Sequence, residues 1–217
     1  MPNWCYTNME IRGDGEDLDK FVADMDYNTL HKSGESPQLN HFWPVPEELN
    51  VTSGFFGKND DGTPSEKQLE MDAIYAVNRE KYGHQDWYSW SIENYGTKWG
   101  VCRPEFDRVS ETVIQVNFET AWSPADGLIR RISEMYPELL FACSYTEESD
   151  AFMGWEVFQN GSGGQGFASD ELIMATHNRG DDDDDYDAMN DARSNLQMSL
   201  DDEMEKFITE WSDKLEK

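Results

Sequence analysis

The sequence predicts an α+β fold in which helices pack on one face of an antiparallel sheet. Residues 4–12 alternate between apolar and polar side chains, which predicts a strand, and apolar residues at helical spacing follow from residue 17 to 25. Later in the chain, two pairs of strand-like segments lie on either side of another helical segment. The order strand, helix, strand pair, helix, strand pair is typical of a ferredoxin-like fold, here extended by extra strands.

A large insertion, residues 26–85, is predicted between the first helix and the first strand pair. Its first part contains Pro37, Pro44 and Pro46, which exclude a regular helix there. We expect three apolar residues of this part to cover the body of the domain: Phe42, Trp43 and Val45.

The insertion contains a predicted helix at residues 65–82. Ser65 suits the cap at its beginning, and Gly83 suits the stop at its end. Apolar residues at helical spacing form the face that we expect to be buried: Leu69, Ala73, Ile74 and Val77.

Strands are predicted at residues 105–109, 112–122, 139–146 and 152–159. Between the second and third of these, Ser123 and Pro124 predict the start of a helix, with Ser123 as its cap. The buried side of this helix is expected to contain Leu128, Ile129, Ile132 and Met135.

The chain divides into three predicted parts. Residues 1–180 form the ferredoxin-like domain with its insertion, and residues 181–191 form an acidic linker, because a run of Asp has little apolar area to offset chain entropy. Residues 192–217 form an amphipathic helix, whose apolar stripe must be buried on the chain's own body or on a partner. Self-association through this helix is therefore one expected option. The stripe consists of Leu196, Leu200, Met204, Phe207, Ile208, Trp211 and Leu215.

The charge balance limits the classes of partner. The chain has 45 Asp and Glu residues against 17 Lys and Arg residues, a formal net charge of −28. Residues 181–217 carry −10 of this charge, and −18 remains on residues 1–180. Such a surface repels phosphate backbones and anionic lipids. We therefore expect no direct binding of nucleic acid or membrane, and we expect a basic protein as partner.

Several motifs that often carry chemistry are weak in this sequence. Residues 161–166 satisfy GxGxxG, but they lie outside a βαβ unit, so we predict a flexible turn rather than a dinucleotide site. Cys5, Cys102 and Cys143 are far apart and form no metal-binding spacing, which is typical of reduced thiols in a cytoplasmic protein. Cys143 lies in an apolar segment without a recognisable base. We predict no catalytic residues, no metal and no cofactor.

The most unusual segment is residues 86–100, DWYSWSIENYGTKWG, which contains five Trp and Tyr residues. Each of these large rings is most simply explained as part of the core. The alternative is that some of them line a concave groove, together with Arg103, and stack on a ligand. The residues predicted for this groove are Trp87, Trp90, Asn94, Lys98, Trp99 and Trp122.

Three segments together resemble one family: MPNWCYTNMEIRG at the start, ENYGTKWG in the middle, and FETAWSP followed by YPELLF. They are similar to the YubB-type ferredoxin-like domain proteins of phages and conjugative plasmids, a family without an established biochemical activity. The likeness covers roughly residues 1–160. It departs at Tyr95, where the family usually has a Trp. The resemblance implies an accessory protein of a mobile element and supplies no catalytic residues.

From charge, architecture and resemblance we predict a non-enzymatic protein that binds and inhibits a basic host protein. The target is expected to handle nucleic acid or to act in defence, and carboxylates would stand in for phosphates in its groove. The acidic surface for this partner is predicted at Asp181, Asp182, Asp183, Asp184, Asp185 and Asp187. The alternative is a nucleotide or small-ligand binding module, or an enzyme, that uses the aromatic groove. A third option is that the acidity only maintains solubility or adapts the protein to high salt.

Overall fold

The computed structural model describes residues 2–25, 38–176 and 185–215. Six strands form one antiparallel sheet in the order β2-β3-β1-β4-β5-β6. The strands are β1 (Trp4–Arg12), β2 (Cys102–Arg108), β3 (Val113–Ala121), β4 (Leu140–Glu147), β5 (Met153–Gln159) and β6 (Ser162–Phe167).

The described helices are α1 (Gly15–Asp24), α2 (Glu66–Tyr82), α3 (Trp87–Tyr95), α4 (Asp126–Met135), α5 (Asp170–Thr176) and α6 (Asp185–Leu215). α1 follows β1, and α4 connects β3 to β4. The chain order of these elements and the strand order β2-β3-β1-β4 form a ferredoxin-like α+β fold, to which β5 and β6 are added at one edge. The predicted fold class is confirmed.

One face of the sheet, which we call the inner face, forms the main core with α1, α4 and the insertion. The alternation in β1 explains how the faces separate, because Met9 and Ile11 are fully buried here while Asn8 and Glu10 point to the other side. α1 contributes Leu18 and Phe21 to this core. The predicted apolar cover is confirmed, since three residues of the insertion pack against the same cluster: Phe42, Trp43 and Val45.

The ends of α2 are as predicted, but its buried face is not. The Ser65 side chain accepts a hydrogen bond from the Gln68 backbone N–H, and Gly83 ends the helix in the left-handed region. However, Leu69 and Val77 are 57% and 62% exposed. Ala73 is also exposed and Ile74 is half-buried, so the predicted apolar face was wrong. The buried residues are instead Gln68, Met71, Tyr75 and Asn78.

Polar contacts to neighbouring loops explain this rotation of α2. The Gln68 side-chain oxygen accepts a hydrogen bond from the Phe56 N–H at 2.7 Å. The Asn78 amide donates to the backbone carbonyls of Glu48 and Gln85 at 3.1 and 2.9 Å. Because these side chains satisfy buried backbone groups, the face that holds the loops is the one that turns inward.

α4 begins two residues later than expected. The residue that precedes its first turn is Ala125, and no side chain caps it. Ser123, predicted as the cap, instead donates its hydroxyl to the Gly96 carbonyl at 2.6 Å. Leu128, Ile129 and Ile132 are buried as predicted, whereas Met135 is exposed.

The glycine-rich segment that we predicted as a flexible turn is strand β6. It pairs with β5 along its whole length. A Cβ atom on Gly163 would lie 1.7 Å from the Val157 carbonyl oxygen, and one on Gly164 would lie 2.5 Å from the Phe207 ring. The glycines therefore let neighbouring backbone and side chains approach closely. This close approach explains why β6 contains several glycines, and no phosphate ligand is needed to explain them.

The opposite side of the sheet, which we call the outer face, is covered by α6 along β4, β5 and β6. α6 begins at Asp185, seven residues before the start predicted at residue 192, so the described end of the predicted linker is helical. Residues 181–184 lie outside the described residues. The helix buries Leu196, Leu200, Met204 and Ile208 against Leu140, Ala142, Trp155 and Val157.

Five residues of the apolar stripe therefore pack on the chain's own sheet: Leu196, Leu200, Met204, Phe207 and Ile208. Phe207 contacts Trp155 with a centroid distance of 5.2 Å and also contacts Trp211 at 5.7 Å. This contact occupies the surface on which self-association was expected. Among the described helices, none is long and apolar enough to cross a membrane.

Candidate functional site

An exposed group of rings and cations lies where β1, β2 and β3 meet the loop after α3. Trp99 and Trp122 face each other with centroids 6.5 Å apart and an interplanar angle of 26°, and Trp4 lies 6.1 Å from Trp99. Trp99 and Trp122 remain 39% and 44% exposed. We call this group the aromatic platform; it comprises Trp4, Tyr88, Lys98, Trp99, Arg103 and Trp122.

The two cations of the platform lie over its rings. The Lys98 ammonium is 4.5 Å from the Trp99 ring centroid and 4.9 Å from that of Trp122, with Tyr88 at 5.9 Å. The Arg103 guanidinium lies 4.6 Å from the Trp4 ring centroid. Arg103 also pairs with Glu119. Within the described ranges, no carboxylate forms an ion pair with Lys98, whose charge is thus left available.

The motif YGTKWG explains how Lys98 and Trp99 are held. Gly96 ends α3 in the left-handed region, and a Cβ atom there would lie 2.0 Å from an Asp126 carboxylate oxygen. The fully buried Thr97 donates its hydroxyl to the Ala121 carbonyl at 2.7 Å and accepts the Ala121 N–H at 3.1 Å. These bonds fix Lys98 and Trp99 beside the end of β3, where Trp122 follows.

Two platform residues have backbone conformations that non-glycine residues rarely adopt. Trp122 has φ 71° and Arg103 has φ 49°. The Trp122 N–H is held by the Asn3 carbonyl at 2.9 Å, and Arg103 lies at the irregularity of β2 between Cys102 and Glu105. Such backbone strain costs roughly 1–3 kcal/mol per residue and concentrates at functional sites. Both strained residues extend exposed side chains into the same surface.

The structure separates the residues that were predicted for one aromatic groove. Lys98, Trp99 and Trp122 come together in the platform with Arg103. Trp90 is buried against Trp43 and Tyr95, with centroids 5.3 and 5.0 Å away, so its inclusion was wrong. Its position follows from the helical geometry of α3, which turns one side of the aromatic segment inward.

Asn94 and Trp87 also lie outside the platform. The Asn94 amide donates to the Trp90 carbonyl at 2.9 Å within α3, which is a structural role. Trp87 is half-buried and packs edge-on against Tyr88 with a centroid distance of 5.8 Å. Tyr88 and Trp4, by contrast, were not predicted for the groove. The alternation of β1 places Trp4 outward with Tyr6, but sequence distance hides its contact with Trp99.

A groove of about 730 Å³ continues from Arg103 across the outer face of the sheet to α6. Its floor consists of the outward residues of β1, β3 and β4, and its wall is one side of α6. The described residues that line the groove include both acidic and basic side chains. It includes Tyr6, Asn8, Glu10, Arg12, Arg103, Glu105, Asn117, Glu119, Ser144, Thr146, Arg193, Gln197, Asp201 and Glu205.

Internal ion pairs and hydrogen bonds occupy most of the polar groups in this groove. Arg12 donates to Glu10 at 2.8 Å and forms a two-pronged contact with Glu205 of α6. Arg193 pairs with Asp150 at 2.8 Å. The Glu205 contact, followed by that of Glu10, raises the pKa of Arg12 despite partial burial. The groove arginines therefore form internal ion pairs that hold α6 against the rest of the domain. Lys98 is consequently better placed than these arginines to bind an anionic ligand.

A buried carboxyl group on the inner face lies in an unusual environment. Glu156 of β5 is 2% exposed, and one of its oxygens has no hydrogen-bond partner among the described residues. Burial, followed by the nearby charge of Asp126, raises the pKa of Glu156 to about 8, while Arg130 lowers it in part. Cys143 is fully buried next to it, and burial raises the pKa of that thiol well above its usual value. The raised pKa favours the neutral form of this buried carboxyl group.

The three cysteines are free, and Cys5 and Cys143 are buried, whereas Cys102 is only partly buried. Burial raises the pKa of Cys5 to about 12, so this thiol is not activated as a nucleophile. In the described part of the chain, no group of three or more His, Cys, Asp or Glu residues is arranged to hold a metal ion.

Only part of the predicted acidic surface can be located. Asp181, Asp182, Asp183 and Asp184 lie outside the described residues, whereas Asp185 is the first residue of α6. Asp187 is exposed in its first turn. Further exposed carboxylates continue along the outward side of α6: Asp191, Asp202, Glu203 and Glu210.

Comparison with known families agrees with the topology. Residues 91–188 match a family described as a ferredoxin-like domain in Api92-like protein. The match spans less than half of the 217 residues and includes β2 to β6 together with α4 and α5. It supports a ferredoxin-like domain in this part of the chain.

Among solved structures, a crystal structure of the protein Api92 from Yersinia pseudotuberculosis is similar to this chain. The sequence identity is 10%, the TM-score is 0.45, and the alignment covers 78% of this chain and 99% of that one. No curated protein matches the chain.

Proposed function

We propose that this chain is a non-enzymatic accessory protein of a phage or plasmid and that it binds a basic host protein through the outward side of α6. The observation that carries the proposal is the arrangement of α6. Its apolar side packs on the sheet, while exposed carboxylates follow its outward side from Asp187 to Glu210. The whole chain has a net charge of −28, so the surrounding field adds to this local surface.

The proposed mechanism is competition with nucleic acid for a basic groove. α6 has 31 residues and is therefore about 46 Å long, at about 1.5 Å per residue. A rigid rod with carboxylates along one side presents charges to Lys and Arg side chains that normally neutralise phosphates. Association would be fast and strongly dependent on salt, because long-range attraction steers the encounter. Inhibition follows if the same groove cannot hold both ligands.

The test begins with affinity purification from host lysate at low salt, followed by identification of the proteins that a salt gradient releases. The affinity of each purified basic candidate is then measured with and without competing duplex DNA. We expect displacement by DNA and at least about a tenfold loss of affinity between 50 and 200 mM salt. A complex that forms equally well in saturating DNA, or that is indifferent to salt, contradicts the mechanism.

Two matched variants locate the binding surface. The first neutralises three exposed carboxylates of α6 by Asp191→Asn, Asp202→Asn and Glu203→Gln. The second neutralises three exposed carboxylates of α2 by Glu66→Gln, Glu70→Gln and Glu80→Gln. Both have the same net charge, so we expect the α6 variant to lose about tenfold more affinity. Equal losses would assign the attraction to total charge and exclude α6 as the docking surface.

A further inference from the structure

We infer that the aromatic platform is a binding site for a planar aromatic ring that carries a single anionic group, a class represented by nucleoside monophosphates. This site is separate from the acidic side of α6 and does not depend on the proposed partner. Its elements are two exposed facing rings, Trp99 and Trp122, and one cation above them, Lys98.

The rings supply the first part of the recognition. Their centroids are 6.5 Å apart, both are more than a third exposed, and Trp122 has a left-handed backbone conformation. A side chain as large as Trp is usually buried, so two exposed Trp rings on one surface are unusual. A nucleobase stacks on such a ring with a free energy that is largely independent of its identity. The ring part of the ligand is therefore expected to lie against Trp99 or Trp122.

Lys98 supplies the second part. Its ammonium lies over Trp99, Trp122 and Tyr88, and no described carboxylate forms an ion pair with it. The other platform cation, Arg103, is already paired with Glu119. One unpaired cation beside stacking rings suits one anionic group on the stacked ligand.

The surroundings limit the ligand to one such group. The adjoining groove contains the carboxylates of Glu10, Glu105, Glu119 and Asp201, and the chain as a whole has a charge of −28. Each further anionic group on a ligand would meet this negative field, and the arginines among the described groove residues, Arg12, Arg103 and Arg193, are already paired with carboxylates.

The experiment is isothermal titration of the full chain with the four common ribonucleoside monophosphates, the corresponding nucleosides, inorganic phosphate, and single-stranded oligonucleotides of two to eight residues. We expect at least one monophosphate to bind in the micromolar to millimolar range. The matching nucleoside and inorganic phosphate should each bind at least about tenfold more weakly, because each lacks one part of the recognition. No binding of any monophosphate at millimolar concentration would overturn the inference.

The variants Trp99→Ala and Lys98→Met assign the binding to the platform. We expect each to weaken monophosphate binding by about tenfold, within the range of a lost stacking or charge contact. Lys20→Met is the matched control, because Lys20 also lies over a ring, Tyr136, but on α1. Thermal unfolding of each variant confirms that it folds. Binding that survives both platform variants, or that tightens steadily with oligonucleotide length, would refute a platform site for one anion.

Discussion

On the inner face of the sheet, aromatic and aliphatic side chains from α1, α3, α4 and the insertion close over the strands, and little of them reaches solvent. The outer face is divided instead. α6 covers β4, β5 and β6, while the outward residues of β1 and β3 line an open groove that leads to the aromatic platform. The same strands therefore support a sealed layer on one side and an accessible surface on the other.

The two faces have different roles, because the inner face stabilises the fold and the open part of the outer face provides a surface for binding. The inner core contains most of the fully buried large side chains, and their removal from water is the dominant stabilising contribution. The open part of the outer face contains strained, exposed and charged residues, which cost stability and provide contacts. Substitutions on the two faces should accordingly have different consequences, and the following predictions are ordered by expected size.

The largest effect is expected for Phe21→Ala on the inner face. Phe21 is fully buried and contacts the rings of Phe42, Tyr136 and Phe141 at centroid distances of 5.1 to 6.0 Å. Removing it leaves a cavity, so the free energy of unfolding should fall by about 3–5 kcal/mol in urea denaturation. Phe55→Ala is the control, since Phe55 is exposed and should change this free energy by less than about 0.5 kcal/mol. Similar losses for both would remove the distinction between buried and exposed aromatics.

A second inner-face substitution should stabilise the protein. Because burial and Asp126 raise the pKa of Glu156 from 4.5 to about 8, the folded chain keeps this proton where the unfolded chain has released it. Stability therefore falls as pH rises between about 4.5 and 8. Glu156→Gln removes this fall. We expect little difference from wild type at pH 4 and a gain on the order of 3 kcal/mol at pH 8.5, measured by urea denaturation.

Glu147→Gln is the control, and its effect on the free energy of unfolding should have the opposite sign. Burial opposes ionisation of Glu147, but the backbone N–H groups of Ala151 and Ser149 outweigh it and lower its pKa. Their distances to the carboxylate are 3.1 and 2.8 Å. This variant should be destabilised at neutral pH, and its deficit should shrink as pH falls below the ordinary Glu range. If the Glu156 variant showed the same pH profile, Glu156 would not hold a proton in the folded state.

The covered half of the outer face should show an intermediate effect. Leu200 of α6 is 4% exposed and packs in the cluster with Trp155 and Val157. Leu200→Ala should lower the free energy of unfolding by about 2–3 kcal/mol and reduce hydrogen-exchange protection in α6 first. Met198→Ala, two residues away and exposed, should leave both quantities close to wild type. Unchanged exchange in the Leu200 variant would mean that α6 is not held by this stripe.

The smallest effect is expected at the ion pair between β1 and α6. Glu205→Gln removes the partner of Arg12 at the rim of the groove, where both groups are partly exposed. We expect a loss of about 0.5 kcal/mol that disappears at high salt. Glu203→Gln is the matched control on the same helix and should have no such salt-dependent component. A loss that persists in 1 M salt would indicate packing rather than charge.

The inner face could largely be predicted from the sequence. Alternation in β1 and helical spacing in α1 identify Met9, Ile11 and Phe21, because burial there depends on local periodicity. Apolar periodicity does not identify the buried side of a helix where polar residues satisfy buried backbone groups. Gln68 and Asn78 turn inward on α2 to hold loops, and Leu69 and Val77 consequently remain outside.

The outer face was harder to predict. Lys98, Trp99 and Trp122 are candidates from their chemistry, but the contact of Trp99 with Trp4 depends on strand pairing between distant segments. Strand β6 was missed because its glycines have no side-chain periodicity, and their role is to let Phe207 and the Val157 backbone approach. Local sequence periodicity thus predicts which side of a strand or helix is buried. Contacts on an open surface between distant segments can be predicted only when the register of the paired strands is known.

The most direct test of the separation between faces compares two tryptophans of one segment, nine residues apart. Trp90 is buried in the inner core, and Trp99 is exposed in the platform. In urea denaturation, Trp90→Ala should lower the free energy of unfolding by about 3–5 kcal/mol, and Trp99→Ala should change it by less than about 1 kcal/mol. A loss for Trp99→Ala as large as that for Trp90→Ala would show that the platform is part of the core, and the account of the outer face as a binding surface would be wrong.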